Sequence, residues 1–229
     1  MANSINTNVG ALVALQNLNQ TSRELAVTQN RVNTGQKVSS AKDNGAIWAT
    51  AQNQKANMQV LNTTRNTLQR TQSVNDVGLA AGDTIMDALR QMKELAAGPA
   101  STARDADLAA LRTEVVAAKA AAVFDGTAAL SGLTLTISAA PTAAEIDADL
   151  ASAITSLQTL GTSSKSTERS LAFNDKLQDA LEAGIGNLVD ADLAKESARL
   201  TALQTKQQLG VQALSIANQS SSILLGLFR

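Results

Sequence analysis

The sequence predicts an all-α fold: long, coiled-coil-like helices with one small β-hairpin, and N- and C-terminal helices paired with each other. Three observations carry this. Among 229 residues, aromatics make up only 2%, Ala and Leu are the commonest residues, and proline occurs only at Pro99 and Pro141. Plentiful helix formers and scarce bulky core-fillers favour long helices over a sheet-based core. Apolar residues also recur every three or four positions through most of the chain, which is the period of a helix with one buried face. Strand-like alternation occurs in only one place, at Leu133, Leu135 and Ile137.

Taken in order, segment 5–32 reads as a helix. Leu15, Leu18, Leu25 and Val32 lie on its stripe, preceded by Ile5, Val9 and Leu12. Thr34-Gly35 and Ser39-Ser40 interrupt the pattern, so 33–44 reads as a linker. A long helix follows from about Ala46 to Ala97, with Val74, Val77, Ala81, Ile85, Ala88, Met92 and Leu95 in step, and Gly98-Pro99 stops it. Trp48, just past the linker, reads as a packing anchor. Thr102 followed by Asp105 resembles a helix start, and 103–122 places Leu108, Leu111 and Val115 on one face.

Asp125-Gly126 is a turn signal, and the alternation from Leu133 to Ile137 has the period of a half-exposed strand; together they predict a hairpin within 123–140. Thr142 and Glu145 form a capping-box pattern. From Ile146 through Leu150, Ile154, Leu157, Leu160, Ser164, Thr167, Leu171, Asn174, Gln178, Leu181 and Ile185 a stripe holds for some forty residues. Gly184 and Gly186 are expected to break that helix, leaving 186–192 as a second linker. The last helix is expected to start near Asp190, with Asp190 and Asp192 at its positive end. Leu193, Leu200, Gln207 and Leu214 lie seven apart, as do Glu196, Leu203, Gly210, Ala217 and Leu224.

Charge is distributed unevenly along this plan. No Asp, Glu, Lys or Arg side chain occurs from Met1 to Ser22 or from Gln207 to Phe228, and both stretches are rich in Asn and Gln. A helix facing water on one side normally carries charge there. A helix uncharged around its whole circumference is suited to burial, since a buried amide can be satisfied by a neighbour and an unpaired charge cannot. The long outward-and-return path brings the two ends together, and other copies of the chain are the natural means of covering them. Alone, the ends lack enough apolar contact to offset ordering entropy, so they are expected to be disordered in the monomer and to fold on assembly.

Composition narrows the other classes. A net charge of −1, with no Lys/Arg cluster, gives no field that would draw nucleic acid. The apolar run Ile223–Phe228 is far too short to cross a membrane, so no membrane insertion is expected. There is no His, Cys or Tyr, which leaves acid–base work to Asp, Glu or Lys. The doublets Asp105/Asp107, Asp147/Asp149 and Asp190/Asp192 are two apart, so their side chains diverge on a helix and read as first-turn charges. Gly184-x-Gly186 is not a nucleotide fingerprint, and no ligand group has metal-site spacing. The expectation is therefore no enzyme, no cofactor and no metal. The N-terminus lacks a basic segment followed by an apolar one, so a secretion route without a cleavable signal is expected.

Particular residues sharpen this reading. The start Ser4-Ile5-Asn6-Thr7-Asn8 and the run Asn30-Arg31-Val32-Asn33-Thr34-Gly35-Gln36-Lys37-Val38-Ser39-Ser40-Ala41-Lys42-Asp43 resemble the N-terminal signature of bacterial flagellins. Gly186-Asn187-Leu188-Val189-Asp190-Ala191-Asp192-Leu193-Ala194-Lys195-Glu196 resembles the motif that opens their C-terminal helix, and Leu224-Leu225-Gly226-Leu227-Phe228-Arg229 their ending. Either signature alone is weak, but two in the right order at the right ends are specific. One departure is Asp43-Asn44, where the family commonly has Asp-Asp.

The resemblance implies a short flagellin without the variable outer domains. Residues 1–32 and 193–229 would be inner-tube helices, and 45–185 a surrounding helical domain. Function would be that of a filament subunit, a homopolymer of many copies used for swimming and located in the extracellular flagellum. Flagellar cap, junction proteins and an export chaperone would be its other partners, and a hook–filament junction or other axial protein of a type III export system is the alternative. The residues expected to make assembly contacts are Ile5, Leu12, Leu15, Leu18, Leu25, Leu200, Leu203, Leu214 and Leu224.

Overall fold

The computed structural model describes residues 8–136, 138 and 141–227, with side chains as far as Gln219. The described chain folds into five helices and one two-stranded hairpin: α1 Val9–Thr34, α2 Gly45–Ala97, α3 Thr102–Ala121, β1 Val123–Phe124, β2 Thr127–Ala128, α4 Ala143–Val189 and α5 Leu193–Leu227. Residues 1–57 and 181–229 form one compact unit and residues 58–180 another.

The 58–180 unit is held by an apolar cluster in which Ile85, Leu89 and Met92 of α2, Leu108 and Val115 of α3, and Ile146 and Ala153 of α4 are buried. These positions lie three, four or seven apart along each helix, on one face, as the sequence pattern predicts. Side chains of α4 press against the backbone of α2 at Gly78 and Gly82. A Cβ on Gly82 would lie 2.2 Å from Leu157 Cδ2, and one on Gly78 would lie 2.9 Å from Leu160 Cδ1.

Toward Met58 the seam between α2 and α4 changes character and becomes polar. Gln72 Nε2 donates to Ser164 Oγ (2.8 Å), Asn75 Nδ2 to Ser163 Oγ (3.2 Å) and Asn174 Nδ2 to the Leu61 carbonyl (3.0 Å). Ser164, Thr167 and Asn174, polar members of the α4 stripe, are all buried. The amide N–H groups of Gln72, Asn75 and Asn174 are satisfied across the seam and fix the register of the two helices, although Gln72 Oε1 and Asn174 Oδ1 are buried without a partner among the described residues.

Helix starts follow capping chemistry. Ser101, one residue before the expected Thr102, caps α3 by accepting from Arg104 N. Asn44 Oδ1 accepts from Ile47 N at the start of α2, a role an aspartate fills equally well, so the departure at Asp43-Asn44 leaves this helix start intact. At Thr142 the capping box is complete. Thr142 N donates to Glu145 Oε2 (2.8 Å), and Glu145 N to Thr142 Oγ1 (3.3 Å). The Thr142 N–H is the first cause that lowers the Glu145 carboxyl below its ordinary value.

Three expectations are corrected. First, the hairpin is confined to 123–128, where Asp125 (φ 48°) and Gly126 (φ 76°) form its turn. Leu133 and Leu135 do turn inward, but 133–136 pairs with no strand. Its backbone is satisfied by side chains of α4 instead: Thr134 N donates to Ser152 Oγ (3.3 Å) and Thr136 N to Asp149 Oδ1 (2.7 Å), while Ile137 lies outside the described residues. Second, Asp149 is therefore not a solvated first-turn charge; it is 1% exposed and also accepts from Thr136 Oγ1. Third, α4 runs through Gly184 and Gly186 to Val189, because a helical glycine costs only about 1 kcal/mol, which neighbouring turns outweigh. The linker shortens to 190–192, and Asp192 rather than Asp190 caps α5, accepting from Ala194 N and Lys195 N.

Candidate assembly surface

α1 and α5 pack side by side and antiparallel. Asn8 Nδ2 donates to the Ala217 carbonyl at one end (2.8 Å), and Ala191 N to the Gly35 carbonyl at the other (2.8 Å). The side chains turned inward on α1 are Ala11, Ala14, Leu18, Thr21, Leu25, Thr28 and Val32, and on α5 Glu196, Leu200, Leu203, Gln207, Gly210, Leu214 and Ala217. Both sets alternate steps of three and four, the pattern of a coiled-coil seam. Most members are small or polar. Gly210 lets Leu18 approach so closely that a Cβ there would lie 3.2 Å from Leu18 Cδ1.

The linker end of the pair is built from polar contacts. Gly35, at φ 69°, ends α1 and donates its N–H to the Arg31 carbonyl. Gln36 and Asp190 form a β-bridge, and Lys37 N donates to the Val189 carbonyl at 2.7 Å. Arg31 Nη1 lies 3.1 Å from Glu196 Oε1, joining the last turn of α1 to the first turn of α5. Each charge also complements the dipole of its own helix end. Beyond the bridge, Asp43 Oδ2 accepts from the backbone and hydroxyl of both Ser39 and Ser40. The Ser40 N–H is the first of the causes that lower its carboxyl below the ordinary range. None of these contacts is foreseen from the sequence, which offers only the turn formers Gly35, Ser39 and Ser40 as a signal.

The expected contact residues divide into two faces. Leu18, Leu25, Leu200, Leu203 and Leu214 lie in the seam between α1 and α5 of the same chain. Leu12 and Leu15 instead point outward, at 57% and 44% exposure. Ile5 lies outside the described residues, and Leu224 belongs to α5 but its side chain is not among those described. The sequence reading passes over Val13, Leu209, Val211 and Ile216, which are also large, apolar and more than half exposed. The charge-free parts of α1 and α5, within 1–22 and 207–228, thus turn much of their large apolar surface outward, and large exposed apolar patches mark interaction sites. Among the described residues no group of three acidic, His or Cys side chains is placed to hold a metal ion, and no helix is long and apolar enough to cross a membrane.

Comparison with known proteins agrees with this architecture. The bacterial flagellin N-terminal helical region matches residues 5–135, and the bacterial flagellin C-terminal helical region matches residues 144–228. Only residues 136–143 separate the two, so no large outer domain stands between them. Flagellin FljM of Caulobacter vibrioides is 50% identical, with 99% of each chain covered, and flagellin FljK of the same organism is 49% identical over the same shares. A flagellin of Brucella melitensis is 32% identical, again with 99% of each chain covered. Matches of this extent, on a chain whose two ends pair as helices and expose an uncharged apolar face, lead to one conclusion: the chain belongs to the bacterial flagellin family and is a structural subunit of the flagellar filament.

Proposed function

We propose that the outward faces of α1 and α5 are the contacts through which subunits polymerise, with residues 1–32 and 193–229 forming the inner tube of the filament. The observation that carries this is the exposure of Val9, Leu12, Val13, Val211 and Ile216 on stretches that hold no charged side chain. Fully burying a side chain such as Ile216 contributes about 1.5–3 kcal/mol, and each subunit repeats that gain at several positions. The intramolecular seam, in which leucines are interleaved with Ala, Thr, Gln and Gly, gives the pair little stability of its own, so the ends order as a subunit joins the growing tip. A chain with unordered ends also suits export unfolded through a type III apparatus. Cap, junction proteins and an export chaperone are then its partners on the way.

Two substitutions separate the faces. Ile216→Asp should leave α1 and α5 able to pair yet prevent filaments, because it places a charge on the outward face. Leu214→Asp should prevent filaments by opening the seam, while the 58–180 unit stays folded. The measurement is sedimentation of polymer from purified chains, with electron cryo-microscopy of the wild-type filament. Normal filaments from Ile216→Asp would refute the assignment, and a wild-type chain that only caps or joins other filaments would refute the subunit role.

A further inference from the structure

The chain holds a single Asn-Gly pair, Asn44-Gly45, where the linker meets α2. A side-chain amide followed by glycine lies open to attack by the next backbone nitrogen, because no Cβ shields that nitrogen and the backbone turns freely there. The attack also needs an N–H that is not already donated. Within a helix each N–H is bonded to the carbonyl four residues back, whereas the first N–H groups of a helix have no such partner. Among the described asparagines, only Asn8 and Asn44 stand directly before a helix.

Those two differ in what surrounds the amide. Both cap their helices, Asn8 Oδ1 accepting from Ala11 N (3.0 Å) and Asn44 Oδ1 from Ile47 N (3.1 Å). Asn8 is half-buried, commits its Nδ2 to the Ala217 carbonyl, and is followed by the branched side chain of Val9. Asn44 and Gly45 are both exposed, and a Cβ on Gly45 would meet nothing within 4 Å. Among the described residues neither Asn44 Nδ2 nor the Gly45 N–H has a partner. The φ of Gly45 lies outside the left-handed region, so neither packing nor backbone conformation calls for glycine here. Leaving group and nucleophile are therefore both free. The Ile47 N–H and the positive end of α2 sit at Oδ1, where negative charge grows as the carbonyl is attacked.

We infer that Asn44 is a site of spontaneous, irreversible deamidation in the folded chain. The Gly45 nitrogen forms a bond to Asn44 Cγ and gives up its proton, the Cγ–Nδ2 bond breaks, and Nδ2 leaves with that proton as ammonia. The product is a five-membered succinimide. Water then adds to either of its carbonyls: breaking the new N–Cγ bond gives aspartate at position 44, and breaking the original peptide bond gives isoaspartate, with the chain running through Cγ. Nothing is oxidised or reduced. The two products differ in structure. Aspartate keeps the cap and adds a negative charge at the favourable end of α2. Isoaspartate inserts a methylene into the backbone just before the helix, which moves the capping group out of register. In either case the linker between the two units gains one negative charge beside Asp43.

The test is timed incubation of the purified full chain, folded, at neutral pH and physiological temperature. Trypsin releases the peptide 43–55, which carries Asn44 and, as an internal control from within α2, Asn53. Mass spectrometry with fragmentation should show NH2 replaced by OH at position 44 while Asn53 and Asn8 remain amides. Protein isoaspartyl methyltransferase should label part of that product. Gly45→Ala, which has room and a better helix former, should slow the reaction about fivefold or more without lowering monomer melting. Amide exchange in the first turn of α2 should be faster in the isoaspartate fraction and unchanged in Asn44→Asp. Deamidation at position 44 no faster than at Asn53 would overturn the inference. So would a reaction seen only in the urea-unfolded chain, since the fold would then protect the pair, and so would a Gly45→Ala chain that reacts at the wild-type rate.

Discussion

Replacing Gly82 by alanine tests how closely α2 and α4 approach, and the structure supplies both the cost and its control. The added Cβ would fall 2.2 Å from Leu157 Cδ2 and 3.0 Å from Leu157 Cγ, so rotating one methyl does not relieve the overlap. Leu157 packs against the apolar cluster, and displacing it is an overpacking change of about 1–3 kcal/mol. Alanine also gains about 1 kcal/mol over glycine in a helix interior, which would blur a single measurement. Gly161, inside α4, removes that ambiguity, because a Cβ added there would meet nothing within 4 Å. Gly161→Ala has the same propensity gain and no overlap, so it should stabilise by about 0.5–1 kcal/mol. The difference between the two variants isolates the overlap at about 1–3 kcal/mol, read from urea unfolding of the monomer by circular dichroism at equal protein concentration. A Gly82→Ala chain as stable as Gly161→Ala would refute the close approach of α2 and α4 at this point.

Thr142→Ala should cost about 1 kcal/mol by removing the cap of α4, and amide exchange at the first turn of that helix should speed up. Asp43 and Glu145 supply a pH dependence whose sign is fixed. Both carboxyls titrate below their ordinary values of 3.8 and 4.5 because backbone N–H groups favour the ionised form. Their contribution is present above those values and is lost as pH falls through the lower folded-state ones. Acid should therefore loosen the 39–43 turn and the start of α4, with Asp43→Asn removing the first effect, as read by amide exchange at Ser39, Ser40 and Thr142. Arg31→Ala should weaken the α1–α5 pair by on the order of 1 kcal/mol, because Glu196 is buried, its Oε1 would lose Arg31 and its Oε2 already has no partner among the described residues. Faster exchange in α1 with none in the 58–180 unit is the expected result.

Long helical stripes are legible because burial on a helix repeats every three or four residues whatever covers it. The stripes of α2, α3 and α4 from Ile85 to Ala153 accordingly reappear as the buried cluster. Alternation from Leu133 to Leu135 signals one-sided burial correctly and strand pairing incorrectly. Period says which side is covered; it does not say that Ser152 and Asp149, rather than a second strand, will satisfy the backbone. The glycines at 184 and 186 mislead, since propensity loses to the turns on either side. At the assembly surface, the leucines mark only part of the seam, and Leu12 and Leu15 point away from it. The seam of α1 runs through Ala11, Ala14, Thr21 and Thr28, and composition hides such positions because nothing about them is hydrophobic enough to draw notice.

That distribution of side chains bears directly on how a subunit joins a polymer. A two-helix pair stabilises itself by filling its seam with large apolar residues. Here much of the seam is small or polar, and Val9, Leu12, Val13, Leu209, Val211 and Ile216 are turned away from it. Two helices paired so thinly gain little over the conformational entropy they lose. Moving those apolar side chains into the seam would strengthen the monomer and remove the surface that other copies need. On the proposed reading the weakness of the pair and the exposure of its outer face are one property, since each large side chain serves either the chain's own fold or its neighbour. Assembly then supplies the burial that the single chain withholds, and exchanging Ala14 for leucine and Leu12 for alanine should shift the balance the other way. Such a chain should show more ordered ends as a monomer, by amide exchange, and polymerise less readily. More ordered ends with undiminished polymerisation would show that order and assembly are not linked through these side chains.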